Sequence, residues 1–122
     1  LQKNQKHNKE YNMKIALPTA NGELAMHFGH CEKFAIVEVE NNEIINTEEL
    51  VPPPHEPGVL PKWLREQGAN VIIAGGMGIR AQDLFKINDI QVIVGAPAGP
   101  VDDIIKAYLA GDLECGSNIC DH

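Results

Sequence analysis

Val71-Ile72-Ile73-Ala74 runs directly into Gly75-Gly76-Met77-Gly78, and the architecture of the whole chain follows from how these eight residues are read. Four apolar residues without polar alternation fit a strand buried on both faces, and the glycine-rich run after them ends the strand and opens a helix. The same unit recurs downstream. Residues 90–94 form a second buried strand, and Ala96-Pro97-Ala98-Gly99-Pro100 opens a further helix with Asp102 and Asp103 in its first turn, where the helix dipole favours negative charge. Strands alternating with helices in this way form parallel neighbours in one sheet, with right-handed crossovers laying the helices on its faces.

Upstream, Leu60, Trp63, Leu64 and Gln67 recur at helical spacing, with Gly68 as the stop. Pro52-Pro53-Pro54-His55-Glu56-Pro57-Gly58 precedes that helix and ends strand pairing, because proline brings no N–H to a ladder. Before the prolines lie three short strands: residues 15–17 ending at Pro18, residues 34–39 with Glu38 and Glu40 outward, and a more polar run from Ile44 to Val51. Asn41-Asn42 is the turn between the last two, so these strands form an antiparallel meander. The two later helices are predicted to bury Ile79, Leu84 and Phe85 in one case, and Ile104, Ile105, Tyr108 and Leu109 in the other, with Gly111 as the final stop. The fold class expected is α/β, a mixed sheet covered by helices.

A chain of 122 residues is long enough for one domain and too short for two. Residues 1–12 are polar and aperiodic and read as a disordered leader or cloning remnant; residues 13–113 form the domain; residues 114–122 form a flexible tail rich in Cys and His. Three of the ten basic residues fall in the first twelve, so residues 13–122 hold 7 basic and 16 acidic residues, a net charge of -9. Such a surface repels polyanions, which argues against nucleic acid and anionic membranes as partners. No apolar run reaches the roughly 20 residues of a membrane helix, and the N-terminus carries no apolar signal core, so a cytoplasmic protein is expected. Cys31, Cys115 and Cys120 are too few, and odd in number, for a disulfide framework.

With the first strand pointing up, the second runs down and the third up, and the two later strands run parallel to the first. The loops around His27-Phe28-Gly29-His30-Cys31, His55, Gly75-Gly76-Met77-Gly78 and residues 95–100 then meet at one edge, outside the carboxyl ends of the parallel strands, where α/β sheets bind ligands. Two helix N-termini point there and offer unpaired amides to an anion. His27, His30 and Cys31 supply imidazole and thiolate, donors suited to Zn, Cu and Fe. In a flat strand His27 and Cys31 would share one face and His30 the other, so a single metal needs Gly29 to break the pleat; ordinary strand histidines and a buried cysteine are the alternative.

Cys115-x4-Cys120-x-His122 is a second donor cluster without the Cys-x-x-Cys spacing of a structural zinc knuckle, so metal binding and an inert terminus both stand. His55 reads as a loop residue near the edge. Gly75, Gly76, Met77 and Gly78 lack the ending of a phosphate-binding loop and offer close backbone approach to a ligand, with Met77 and Met26 as soft donors or packing residues. Catalysis has less support. No carboxylate cluster lines the first strand, and the Cys31-His30 pair would point to opposite faces of a strand.

The motifs Met13-Lys14-Ile15-Ala16, His27-Phe28-Gly29-His30-Cys31-Glu32-Lys33-Phe34, the glycine-rich stretch at 71–78 and Val92-Ile93-Val94-Gly95-Ala96 together resemble the dinitrogenase iron-molybdenum cofactor biosynthesis family, whose members include NifX, NafY and the C-terminal domain of NifB. The resemblance covers Met13 to about Leu113, and the stand-alone orange protein is similar. It implies a three-layer, ribonuclease-H-like α/β/α fold with a five-stranded sheet of order 3-2-1-4-5 and strand 2 antiparallel. It also implies a small carrier or scaffold, not an enzyme, that binds a metal-sulfur cluster of iron-sulfur, iron-molybdenum precursor or molybdenum-copper type. Cluster donor and acceptor proteins would be its partners, with the chain a monomer or weak dimer. By position, His27, His30 and Cys31 carry the family's site, with Gly75 to Gly78 beside it. The rivals are a thiol-dependent redox protein using Cys115 and Cys120, and a regulatory module without a metal. They separate in a Cys115→Ser, Cys120→Ser double variant: an edge-bound cluster persists by metal analysis, whereas a redox protein loses thiol-disulfide exchange.

Overall fold

A computed structural model of the chain describes residues 13–26, 28, 31–54, 58–111 and 113. Strand β1 (Met13–Ala20) leads to a two-residue strand β2 (Glu23–Leu24), then β3 (Lys33–Glu40) and β4 (Glu43–Leu50). Helix α1 (Val59–Glu66), strand β5 (Val71–Ile73), helix α2 (Ile79–Ile87), strand β6 (Gln91–Ile93) and helix α3 (Val101–Ala110) follow. The sheet runs β4-β3-β1-β5-β6, the five-strand path expected, and β2 adds a sixth strand paired to the end of β1. β3 is antiparallel to both its neighbours, while β1, β5 and β6 are parallel. Among the described residues no helix is long and apolar enough to cross a membrane.

Alternation along the strands sorts the side chains into two cores. Ile15, Leu17, Val37 and Ile73 pack on one face with Ile104 and Ile105 of α3. Ala16, Phe34, Ile36 and Ile72 pack on the other with Leu60 and Leu64 of α1 and Phe85 of α2. One sheet between two helical layers is the three-layer α/β/α arrangement, and it explains why β5 reads as continuously apolar: each of its residues is covered from one side or the other. The outer strand β4 is mostly exposed and carries Glu43, Glu48 and Glu49, with a register irregularity opposite Glu38 and Val39. Charge and a bulge on an edge strand discourage pairing with another chain.

Chain reversals follow local rules. Asn41 and Asn42 both take the left-handed conformation of a tight hairpin turn, as their sequence predicts. α1 ends as expected: Gly68 is left-handed at φ 90, its N–H reaches the Arg65 carbonyl at 2.9 Å and the Ala69 N–H reaches Leu64 at 3.0 Å. Lys14 Nζ lies over this end and donates to the Gln67 carbonyl at 3.3 Å, a cation at the negative end of the helix.

Four expectations need correction. The second buried strand, expected over residues 90–94, is the edge strand β6, with Gln91 exposed and Val92 and Ile93 half-buried, because it pairs on one side only. Pro18 does not end the first strand, which continues to Ala20. Its carbonyl accepts the Ala25 N–H at 2.8 Å, beyond the point where β1 and β5 stop pairing at Ala16 and Ile72, so its missing N–H breaks no ladder bond. The third strand of the meander ends at Leu50 rather than Val51, because the residue before Pro52 has no further pairing to make. Ile79 is not on the buried face of α2: it is the first helical residue and 56% exposed, while Leu84 is half-buried and Phe85 fully buried. Phe85→Ala is expected to destabilise the fold by about 3–5 kcal/mol. Ile87→Ala, at a position 75% exposed, should shift stability by less than about 0.5 kcal/mol. Urea unfolding midpoints check the pair, and equal shifts would contradict the orientation of α2.

Candidate functional site

Parallel pairing of β1, β5 and β6 sends their C-terminal ends to one edge of the sheet, and backbone hydrogen bonds join the loops there into a continuous surface. Asn21 and Gly22, both left-handed, turn β1 into β2. The Leu24 N–H donates to Gly99 at 3.0 Å, and Glu23 forms a bridge with Pro100. On the other side the Gly95 N–H donates to Gly75 at 2.7 Å, and the Phe28 N–H donates to Gly76 at 2.9 Å. The start of β3 is tied in as well: the Glu32 N–H reaches the Thr19 carbonyl at 2.7 Å, and the buried Thr19 hydroxyl donates to the Lys33 carbonyl at 3.1 Å.

Within this edge, Met26, Phe28 and Cys31 are the described residues of segment 26–31; His27 and His30 lie outside the described residues. β3 begins only at Lys33, so Cys31 precedes the strand and strand alternation does not fix which way it faces. Phe28 anchors it, its ring meeting Phe34 edge-on at 6.0 Å and Phe85 at 5.5 Å. Cys31 is half-buried against the same core, and Met26 stands 43% exposed. His55, Cys115, Cys120 and His122 lie outside the described residues, so of the thiol and imidazole candidates Cys31 is the one that can be placed. Among the described residues no three His, Cys, Asp or Glu side chains gather as a metal site.

The glycine loop faces this segment. Gly75, Gly76 and Met77 are buried, Met77 completely, within the α1 and α2 core, and the Met77 carbonyl accepts Gln82 Nε2 at 2.8 Å. A Cβ on Gly75 would sit 2.8 Å from the Met26 carbonyl oxygen, whereas Gly78 is half-buried with open space where its Cβ would be. Of the two helix starts expected at this edge, α2 has no acidic residue in its first turn and no side-chain cap, while Asp102 and Asp103 already occupy the first turn of α3. Local potential for an anion is therefore stronger at α2. A cleft of about 460 Å³ lies at the opposite end of the sheet, lined by residues that include Ile44, Lys106 and Leu109, and none of the candidate donors among the described residues borders it.

The model of the dinitrogenase iron-molybdenum cofactor family matches residues 12–111. The chain belongs to that family. It is 42% identical over 107 residues to the uncharacterized protein MJ0580 of Methanocaldococcus jannaschii, covering 84% of this chain and 90% of that one. The crystal structure of PH0822 superposes with a TM-score of 0.80 at 30% identity, covering 87% of this chain and 96% of that chain. The apo orange protein from Desulfovibrio gigas shares the fold at a TM-score of 0.68 and 20% identity, over 87% and 94% of the two chains.

In this member of the dinitrogenase cofactor family the residues of the edge are compatible with a soft metal cargo. The buried side-chain nitrogen and oxygen atoms among the described residues all have partners, so no cargo is needed to complete the core. The compatibility lies in the donors, a thiol with two imidazoles in the same short stretch of sequence. Burial pushes the Cys31 thiol up to about 11, opposed in part by a hydrogen bond from its own backbone amide. At neutral pH the thiol is protonated and a poor nucleophile, and a bound metal would displace its proton. Sequence reasoning missed Phe28 as the anchor, although an aromatic residue inside a loop of donors was the available signal. It also missed the β1–β2 hairpin, although Asn21-Gly22 is a strong hairpin dipeptide. With Cys115 and Cys120 replaced by Ser, alkylation of Cys31 by iodoacetamide should accelerate about tenfold per pH unit from pH 7 to 10. A plateau below pH 9 would contradict the burial of this thiol.

Proposed function

We propose that the chain is a small carrier or scaffold that takes up a metal-sulfur cluster at the loop edge of its sheet and hands it to another protein. The observation that carries this reading is the half-buried Cys31 thiol at the edge where the parallel strands end, within a chain whose family model spans residues 12–111. The cargo class is a preassembled cluster of iron-sulfur, iron-molybdenum precursor or molybdenum-copper type. Cys31 acts as a thiolate ligand, with His27 and His30 as imidazole ligands or hydrogen-bond donors from the same motif. The α2 amides, with Arg80 in the first turn of that helix, supply the local positive potential an anionic cluster needs on a chain whose net charge is -7.

The role is binding rather than turnover. A single thiolate on a segment at the rim of the fold leaves other metal positions open for an acceptor's ligands, so release proceeds by ligand exchange. Partners are then the proteins that supply and receive the cluster, met by the chain as a monomer or weak dimer in the cytoplasm. Anaerobic reconstitution with iron and sulfide, or with thiomolybdate and copper, followed by absorption spectra and elemental analysis, tests the reading. The parent chain should take up stoichiometric metal, and Cys31→Ala, His27→Ala and His30→Ala should each weaken retention by roughly tenfold or more. Undiminished uptake in all three variants would remove the site from this edge.

A further inference from the structure

Gly75 and Gly78 stand in one loop, yet their surroundings differ in kind. Gly78 is extended, with φ -65 and ψ 157, and nothing lies within 4 Å of the position a Cβ would take. Gly75 also has no left-handed backbone, so conformational freedom does not demand glycine there. The demand is spatial: a Cβ would meet the Met26 carbonyl oxygen at 2.8 Å, the Met26 Cα at 3.2 Å and the Ala25 carbonyl oxygen at 3.3 Å. All three are backbone atoms, which cannot swing aside as a side chain can. Gly75 cannot retreat either, since its own carbonyl accepts the Gly95 N–H at 2.7 Å and so joins the loop to the end of β6. Any side chain at 75 must therefore push residues 25 and 26 outward. Those residues lie between two fixed bonds, Ala25 N–H to Pro18 at 2.8 Å and Phe28 N–H to Gly76 at 2.9 Å. Beyond the second bond the Phe28 ring fills its slot against Phe34 and Phe85, and the chain continues to Cys31.

We propose that Gly75 is a positioning residue of the binding edge: lacking a Cβ, it lets the Met26 backbone close onto the end of β5, and this contact holds Met26 and Phe28 so that Cys31, three residues on, meets a metal-sulfur cargo. The glycine acts through the segment and not by touching cargo, so the two glycines of the loop should respond differently to the same substitution. The inference rests on the carrier reading.

The test compares Gly75→Ala, Gly78→Ala and Cys31→Ala, each reconstituted anaerobically with thiomolybdate and copper and titrated for metal retention, with amide exchange at Phe28 followed in the metal-free chains. Gly75→Ala should bind the probe at least roughly tenfold more weakly. Its Phe28 amide should exchange faster as the bond to Gly76 loosens, while amides in the centre of β3 keep their protection, a pattern that general destabilisation would not produce. Gly78→Ala should keep parent-like Phe28 protection, because open space lies where its Cβ would sit. Parent-like retention and Phe28 protection in Gly75→Ala would overturn the inference, and so would an equal loss of Phe28 protection in Gly78→Ala, which would mean that the missing Cβ at 75 is not what seats residues 25 and 26. Should Gly75→Ala fail to fold, Phe28→Leu underfills the same slot while keeping the backbone bonds, and parent-like retention there would overturn the inference instead. Parent-like retention in Cys31→Ala would overturn the carrier reading at this edge and the inference with it, whereas loss in Cys31→Ala beside normal retention in Gly75→Ala overturns the inference alone.

Discussion

Parallel pairing of β1 with β5, through Ile15 with Val71 and Ala16 with Ile72, is the constraint from which the rest of this molecule follows. Once those strands lie side by side and point the same way, the chain between them must cross over a face of the sheet, and α1 is the element that does so. The same requirement places α2 between β5 and β6, on the same face as α1. Both strands of the pair are covered from above and below, which is why Ile15, Ala16, Leu17, Ile72 and Ile73 are completely buried. Every strand-to-helix loop then leaves from one edge. An edge of the kind at which α/β sheets bind ligands is thus a by-product of the pairing, before any functional side chain is considered.

That edge sets a problem of charge. A chain with a net charge of -7 attracts no anion at long range, so an anionic cargo must be met by short-range groups. α2 begins with no side-chain cap and no carboxylate in its first turn, whereas Asp102 and Asp103 in the first turn of α3 already offset the positive end of that helix. In the proposed carrier Cys31 adds a donor whose charge is latent. Desolvation keeps the thiol neutral, so the metal-free chain does not add another negative charge at the edge, and the thiolate appears only when a cation is present to stabilise it. Burial of the thiol and acidity of the chain are therefore compatible features of one site.

Much of this was legible in the residues. Apolar runs bounded by Gly and Pro located the five main strands, helical spacing at Leu60, Trp63 and Leu64 located α1, and Asn41-Asn42 marked its hairpin. What escaped had physical causes. Pro18 looked like a strand end because a local rule cannot see that β5 has already left that side of β1. Ile79 looked like a core residue because periodicity gives a helical face but not where along the helix the cover stops. The donors at 27, 30 and 31 were legible as residue types, but their alternation was judged on a strand that begins two residues after Cys31.

The glycine loop shows most clearly why composition and contact differ as evidence. Read alone, Gly75-Gly76-Met77-Gly78 is a run of small residues beside a candidate ligand site, and the natural inference is that backbone there approaches a ligand. In the folded chain the approach at Gly75 is made by the backbone of residues 25 and 26, and the Gly76 carbonyl is taken by Phe28. Two stretches some fifty residues apart in the chain thus meet, the glycine run seating the backbone of Ala25, Met26 and Phe28. A seat of this kind needs a missing Cβ at one position and a free carbonyl at the next, and it makes no demand on Gly78. Glycines at the rim of a binding site can therefore serve fit within the protein, and the distance to a hypothetical Cβ decides which of them do.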